Sequence, residues 1–255
     1  MHIVGDFHTH TKYSHGKGTV EENVRAAVEC GLQAVAITDH GPGHFFIGIG
    51  GMDAFRRLQK EIETLRRKYR DIEILFGVEA NIVDIDGTID VPAAILRELD
   101  ILLVGYHKLV RPRSFGAFVL GAKNFAAGWL GRSTEKLRAA NTAAITAAVR
   151  RYPIDAITHP GLQIDIDTAQ LARVCHQQQT LLEINSSYGE ELDPYIQAAL
   201  PSGVRFIINS DAHQPGRVGD FSKAFRLVER LHVPADRIVN LAENIPLQKK
   251  RSFGV

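Results

Sequence analysis

The chain has 255 residues, 45% of them hydrophobic, and a formal net charge of +1. That length and apolar content suit one large α/β domain with a full core, spanning 1–255. The near-neutral charge gives no global electrostatic case for nucleic acid or anionic membrane and argues against a dedicated DNA-binding protein, but not against a small phosphorylated substrate.

Apolar runs and turn signals predict strands at 3–7, 34–38, 73–78, 101–105, 154–158, 180–184 and 204–209. Helices alternate with them. Thr19 and Glu22 form a capping box for the first helix, which ends at Gly31. Asp53 is placed to cap the second, whose apolar stripe is Phe55, Leu58, Ile62, Leu65 and Tyr69. Residues 83–91 alternate around Asp86-Gly87, a hairpin signal, and a short helix follows over 92–99. Residues 108–132, rich in Gly, Phe and Arg, read as irregular and too long for an ordinary connection, hence as a candidate lid. Further helices are expected over 134–151, 167–177, 193–200 and 219–231, and near Ala242. Strict alternation implies a parallel sheet. Seven repeats suit a closed or nearly closed barrel better than an open sheet.

No stretch approaches ~18 uninterrupted apolar residues, so no transmembrane helix is expected. The chain begins without a basic-plus-apolar leader, and a cytoplasmic location is expected. Cys30 and Cys175 lie outside any CxxC and read as buried apolar thiols in a reducing compartment.

The predicted strands end in metal-binding residue types: His8 and His10, with His15 close behind, then Asp39-His40, Glu79, His107, His159, and Asp211 with His213. A parallel barrel gathers its strand C-termini at one face, so these side chains can converge. His8 and His10, two apart on an extended segment, point to the same side. Imidazoles and carboxylates in one cleft read as a metal site, and there are too many here for one ion. Neighbouring cations repel, so bridging anions are needed, and Glu79 is the best-placed bridge.

Together, Phe7-His8-Thr9-His10-Thr11, Ile37-Thr38-Asp39-His40-Gly41-Pro42, Gly77-Val78-Glu79-Ala80-Asn81, Gly105-Tyr106-His107, Thr158-His159-Pro160-Gly161 and Asn209-Ser210-Asp211-Ala212-His213 resemble the PHP (polymerase and histidinol phosphatase) family. The stand-alone phosphatase-type proteins look most similar, sharing Glu-Ala-Asn after strand three and Leu-Glu-Ile-Asn at strand six. The resemblance spans about residues 1–240. It implies a distorted (β/α)7 TIM-like barrel with a phosphoesterase site at the C-terminal ends of its strands. It also implies three divalent ions, of zinc, manganese or iron. His8, His10, Glu79 and Asp211 would hold the first ion. Glu79, His107 and His159 would hold the second, and His15, His40 and His213 the third. A metal-bound hydroxide would attack phosphorus, with no side chain as nucleophile.

Around that set, Asp39 is a candidate for orienting an imidazole from behind, and Asp6 suits either that role or a solvated or backbone-capping one. Arg111 and Arg217, with Arg113 less favoured, are candidate phosphate clamps. Asn185 and His44 are candidate substrate contacts. Trp129, Phe115, Phe118 and Phe125 could stack on an aromatic leaving group or pack the long segment onto the barrel. His2, His176 and His232 lack the strand-end context and read as surface or structural.

Small phosphate monoesters are the leading substrate class. No stable nucleic-acid or membrane partner is expected, and oligomeric state is not legible. A phosphodiesterase or 3′–5′ exonuclease is the nearest rival. An amidohydrolase also starts with HxH in a barrel, but does not require His15, Asp39-His40 and Glu79. A non-catalytic metal-binding regulatory module would have lost ligands, and none is lost here.

Overall fold

The computed structural model describes residues 1–242. Seven strands, β1 (Gly5–Asp6), β2 (Ala34–Ile37), β3 (Glu73–Asn81), β4 (Ile101–Gly105), β5 (Ala156–Ile157), β6 (Leu181–Asn185) and β7 (Phe206–Asn209), pair in chain order. Every pairing between neighbours is parallel. The result is a nearly closed barrel wrapped by helices. These are α1 (Val20–Glu29), α2 (Met52–Lys68), α3 (Ala93–Leu96), α4 (Phe115–Leu130), α5 (Glu135–Arg151), α6 (Thr168–Gln178), α7 (Asp193–Ala199) and α8 (Ser222–Arg230).

Strand periodicity sorts the core into two layers. Val35, Ile37, Leu102 and Val104 face outward into the layer between sheet and helices. Their neighbours Ala34, Ala36, Ile101 and Leu103 face inward with Phe7, Ala156 and Ile207, plugging the barrel axis. Glu79 pairs in register with Leu103, and Glu183 with Ile207. Both carboxylates therefore share the inward parity, and their strands carry them into the barrel.

The seam between β7 and β1 has no continuous ladder. Thr9 and Ala212 make an isolated parallel bridge across it. The backbone of 238–242 fills part of the gap, pairing Ile238 with Phe206 and Leu241 with Ile3, and side chains add to it. Asn209 Oδ1 accepts from the Phe7 amide at 3.0 Å, and Asp6 accepts from the Ser210 amide at 3.1 Å. Buried Asn240 donates to the carbonyls of Gly5 and Ile208.

The capping box at Thr19 and Glu22 is present. Several expectations need correction. Asp53 lies in the first turn of α2, whose N-cap is Gly51 with no side-chain cap. The expected hairpin is present but short: Ile82 bridges Ile89 antiparallel, flanked by the Val83 amide to the Thr88 carbonyl and the Asp90 amide to the Asn81 carbonyl. Residues 108–132 are not irregular: they contain the 16-residue α4, capped by Ser114 and terminated by left-handed Gly131. Its glycines interrupt the apolar pattern, and its apolar face is not turned to the core, so periodicity hid it. Cys30 is exposed rather than buried, because it ends α1 at the surface; Cys175 is buried. The helix expected near Ala242 falls at the end of the described residues, and 243–255 lie outside them. No helix of the described residues is long and apolar enough to cross a membrane.

Candidate metal centre

His8, His10, His40, Glu79, His107, His159 and Asp211 are buried together, while His15 is exposed and His213 half-buried at the rim. Three groups of side chains bring donor atoms within 4.8 Å of one another: His8, His10 and Asp211; His40, Glu79 and His107; and His10, His15, His40 and His213. All but His159 of the nine strand-end residues appear in these groups, and His159 Nε2 lies 3.0 Å from Glu79 Oε1.

Glu79 divides the site. Its Oε1 faces His159, His107 at 3.3 Å and the Thr158 hydroxyl at 2.6 Å. Its Oε2 faces His40 at 2.9 Å, His8 at 3.3 Å and His10 at 3.7 Å. One carboxylate thus presents a separate oxygen to each of two imidazole sets. Asp211 Oδ1 sits between His10 at 3.2 Å, His8 at 3.5 Å and His213 at 3.5 Å. The grouping differs in one respect from the expected partition: His40 stands beside Glu79 as well as within the rim histidines.

Electrostatics follow from burial. Burial alone would raise Glu79, but the charges of His107, His8 and His40 outweigh it and hold the carboxyl well below its ordinary range. Burial would lower His8, yet Glu183, Glu79 and Asp211 keep it well above. Burial, reinforced by His40, pushes His10 well down. Burial pushes His107 down to about 4; His15 falls to about 4 through partial burial and the nearby His213 and His40. The last three are therefore neutral imidazoles near pH 7, the form that binds cations.

The residues fit metal ions on structural grounds. Three of the four buried side-chain atoms without a hydrogen-bond partner among the described residues are here: His10 Nδ1, His40 Nδ1 and Glu79 Oε2. His40 Nδ1 and Glu79 Oε2 are close but not aligned as a hydrogen bond. Buried polar atoms left so are costly unless another ligand satisfies them.

A supporting layer holds the imidazoles, and its central member was missed from sequence. Glu183 Oε1 accepts from His8 Nδ1 at 2.7 Å and from Asn209 Nδ2 at 2.9 Å, while Oε2 accepts from the His159 amide and from Asn185. Fixing Nδ1–H turns His8 Nε2 toward Glu79. Asn81 does the same for His107, whose Nδ1 lies 2.7 Å from Asn81 Oδ1, and Asp90 holds Asn81 in turn. The available signal was Glu183 itself, a carboxylate inside an apolar strand. A Cβ at Gly105 would strike the His107 ring and the Glu79 carboxylate, so glycine is required where β4 passes the site.

Other expected residues take different places. Asp39 accepts from the Thr11 amide at 2.7 Å, the Thr11 hydroxyl and Ser14. These bonds shape the turn between His10 and His15, and none goes to an imidazole. Asp6 serves the seam. Buried Asn185 donates to Glu183 and Asp211 and so positions carboxylates. His44 accepts from the Phe46 and Ile47 amides beside His40. Arg111 lies over the Phe45 ring, and Arg113 is exposed. Arg217 pairs with Asp220 at 2.7 Å and lines a cleft of about 260 Å³ with Lys17, Ser187, Gln214, Asp211 and His213. His2, His176 and His232 are exposed, away from the cluster.

Comparison with known proteins identifies the family and the fold. The model of the PHP domain family matches residues 6–187. A probable phosphatase of Caldanaerobacter subterraneus subsp. tengcongensis is 33% identical over 94% of this chain and 88% of its own. Another, of Thermoanaerobacter sp., is 31% identical over 100% and 98%. Among solved structures, the histidinol phosphate phosphatase of Lactococcus lactis, complexed with zinc, L-histidinol and phosphate, superposes with a TM-score of 0.58. It is 13% identical, with 89% of this chain and 93% of that one covered. At that identity the likeness is one of fold.

Proposed function

Because the chain belongs to the PHP domain family, whose relatives make it a hydrolase of phosphoric esters, we propose that it cleaves small phosphate monoesters at a three-ion site. The observation that carries this reading is Glu79, whose two oxygens face two imidazole sets while Oε2 has no hydrogen-bond partner. A carboxylate so placed can bridge two cations. His8, His10, Glu79 and Asp211 would hold one ion, Glu79, His107 and His159 a second, and His15, His40 and His213 a third. The imidazole-rich donor set suits zinc or iron, and the carboxylates admit manganese. Such ions supply water that ionises near neutral pH and positive charge for the phosphoryl oxygens.

The chain's own residues do the positioning. His15 and His213, at the rim, mark the side from which substrate reaches the buried carboxylates. Glu183 and Asn81 fix the ring orientations of His8 and His107. Arg217 and Lys17 line the adjoining cleft and can meet an anionic substrate there. The described side chains offer no activated serine or cysteine beside Glu79, which leaves direct attack by water as the route this site supports.

The test is phosphate release by protein loaded with zinc or manganese, across phosphomonoesters beside a phosphodiester, with His107→Ala as control. Monoester turnover lost in the variant is the expected result. Cleavage of the diester alone would move the assignment to a phosphodiesterase. No turnover of either, with metal bound, would sink it.

A further inference from the structure

Helix α4 lies outside the site and carries a feature the hydrolytic reading does not use. Its 16 residues, FGAFVLGAKNFAAGWL, hold one charge, Lys123. Asn124 alone among them is buried, exchanging amide hydrogen bonds with Asn141 of α5 at 2.8 Å. The large apolar side chains point to solvent: Phe115 is 81% exposed, Phe118 58%, Phe125 64%, Trp129 84% and Leu130 61%. At the usual area of large aromatic side chains this is on the order of 700 Å² of apolar surface. A typical monomer's largest patch is roughly 300–600 Å², and one side of a standard interface is about 800 Å².

The spacing indicates what covers it. Phe115, Phe118, Ala122, Phe125 and Trp129 step along the helix as an a/d seam. The seam is close to symmetric about Ala122, with one aromatic about a turn and another two turns away on either side. At its middle are exposed Gly121 and Ala122, and a Cβ added to Gly121 would meet nothing within 4 Å. Large residues outside and small ones at the centre are self-complementary under a twofold axis, the commonest symmetry of oligomers.

We propose that α4 is a homodimer interface, with a second copy of this chain laid antiparallel across it about Ala122. Phe115 then faces the second copy's Trp129, and Phe118 its Phe125. The near-absence of charge fits the core of such an interface. Arg113 before the helix and Arg132 after it come near each other across the axis. Their repulsion is screened by salt, so the pair tightens as ionic strength rises.

The test is sedimentation equilibrium of the full metal-loaded chain. The expected species is twice the 28.2 kDa chain mass, more populated at 0.5 M salt than at low salt. Phe118→Glu with Phe125→Glu should raise the dissociation constant roughly 30-fold or more, the signature of lost central anchors. Circular dichroism of that variant should stay native, since both positions are exposed. A monomer at every concentration overturns the proposal, as does a dimer indifferent to the double substitution. So does a chain that stays monomeric and instead sediments with acidic phospholipid vesicles at low salt, which would assign the face to a membrane surface.

Discussion

Glu183 touches none of the exposed rim, yet it fixes more of the site than any other supporting residue. Its two oxygens receive His8, Asn209, the His159 amide and Asn185. Glu183→Gln keeps the volume and one acceptor while removing the charge behind His8. Metal titration of the variant should show affinity lowered about 10- to 100-fold, the usual loss for partners behind metal-binding histidines. Unchanged affinity would reduce Glu183 to a packing role. His107 allows a pH prediction. Burial holds it at about 4, against an ordinary 6.5. The fold favours its neutral form, so its contribution in metal-free protein is complete above pH 6.5 and is lost as pH falls toward 4. Metal-free melting temperature should decline across that window, and less steeply in His107→Gln, which cannot titrate. Parallel declines in both proteins would exclude His107 as a source.

At the scale of elements, α4 and α5 meet through the reciprocal Asn124–Asn141 pair, and Asn141 also donates to the Asp165 carbonyl at 2.9 Å. Asn141→Ala leaves a buried amide on α4 unsatisfied, a cost of about 1–3 kcal/mol. Urea denaturation should register that loss, with the earliest amide exchange in α4. A midpoint equal to wild type would mean that water replaces the bond. The same elements mark where sequence is legible. His40, His107 and His159 each follow an apolar run that ends abruptly, and strand-end placement plus barrel topology brought them together. Glu183 was hidden because it sits within a strand, where period alone does not distinguish a core acid from a surface one. Asp39 and Asn185 were assigned to imidazole and substrate because their bonds to Thr11, and to Glu183 and Asp211, join segments that only tertiary structure aligns. Helix α4 was hidden because an apolar face turned to solvent, broken by Gly116, Gly121 and Gly128, mimics an irregular loop.

Over the whole molecule, three of the four buried side-chain atoms without a hydrogen-bond partner among the described residues lie at one end of the barrel, and the ligands of the proposed site come from strands around its circumference. Ions that bind this assembled set favour the native state, so they stabilise it by linkage, by up to roughly 2.7 kcal/mol at a hundredfold excess over the dissociation constant. Zinc or manganese should raise the melting temperature and a chelator should return it. An unmoved transition on metal addition would argue against a site assembled by the fold.

The seam between the first and last strands gives that linkage a direction. His8 and His10 follow β1 and Asp211 and His213 follow β7, and these two edges share an isolated bridge, supplemented by side chains and by the backbone of 238–242, in place of a continuous ladder. Cations held by the proposed ligands on both edges would be cross-links between the first and last strands, adding to the sparse backbone pairing there. The barrel would then be a hoop whose clasp is partly ionic. Amide exchange should slow on metal loading most at 5–10 and 209–213. Uniform slowing over all seven strands would deny the clasp.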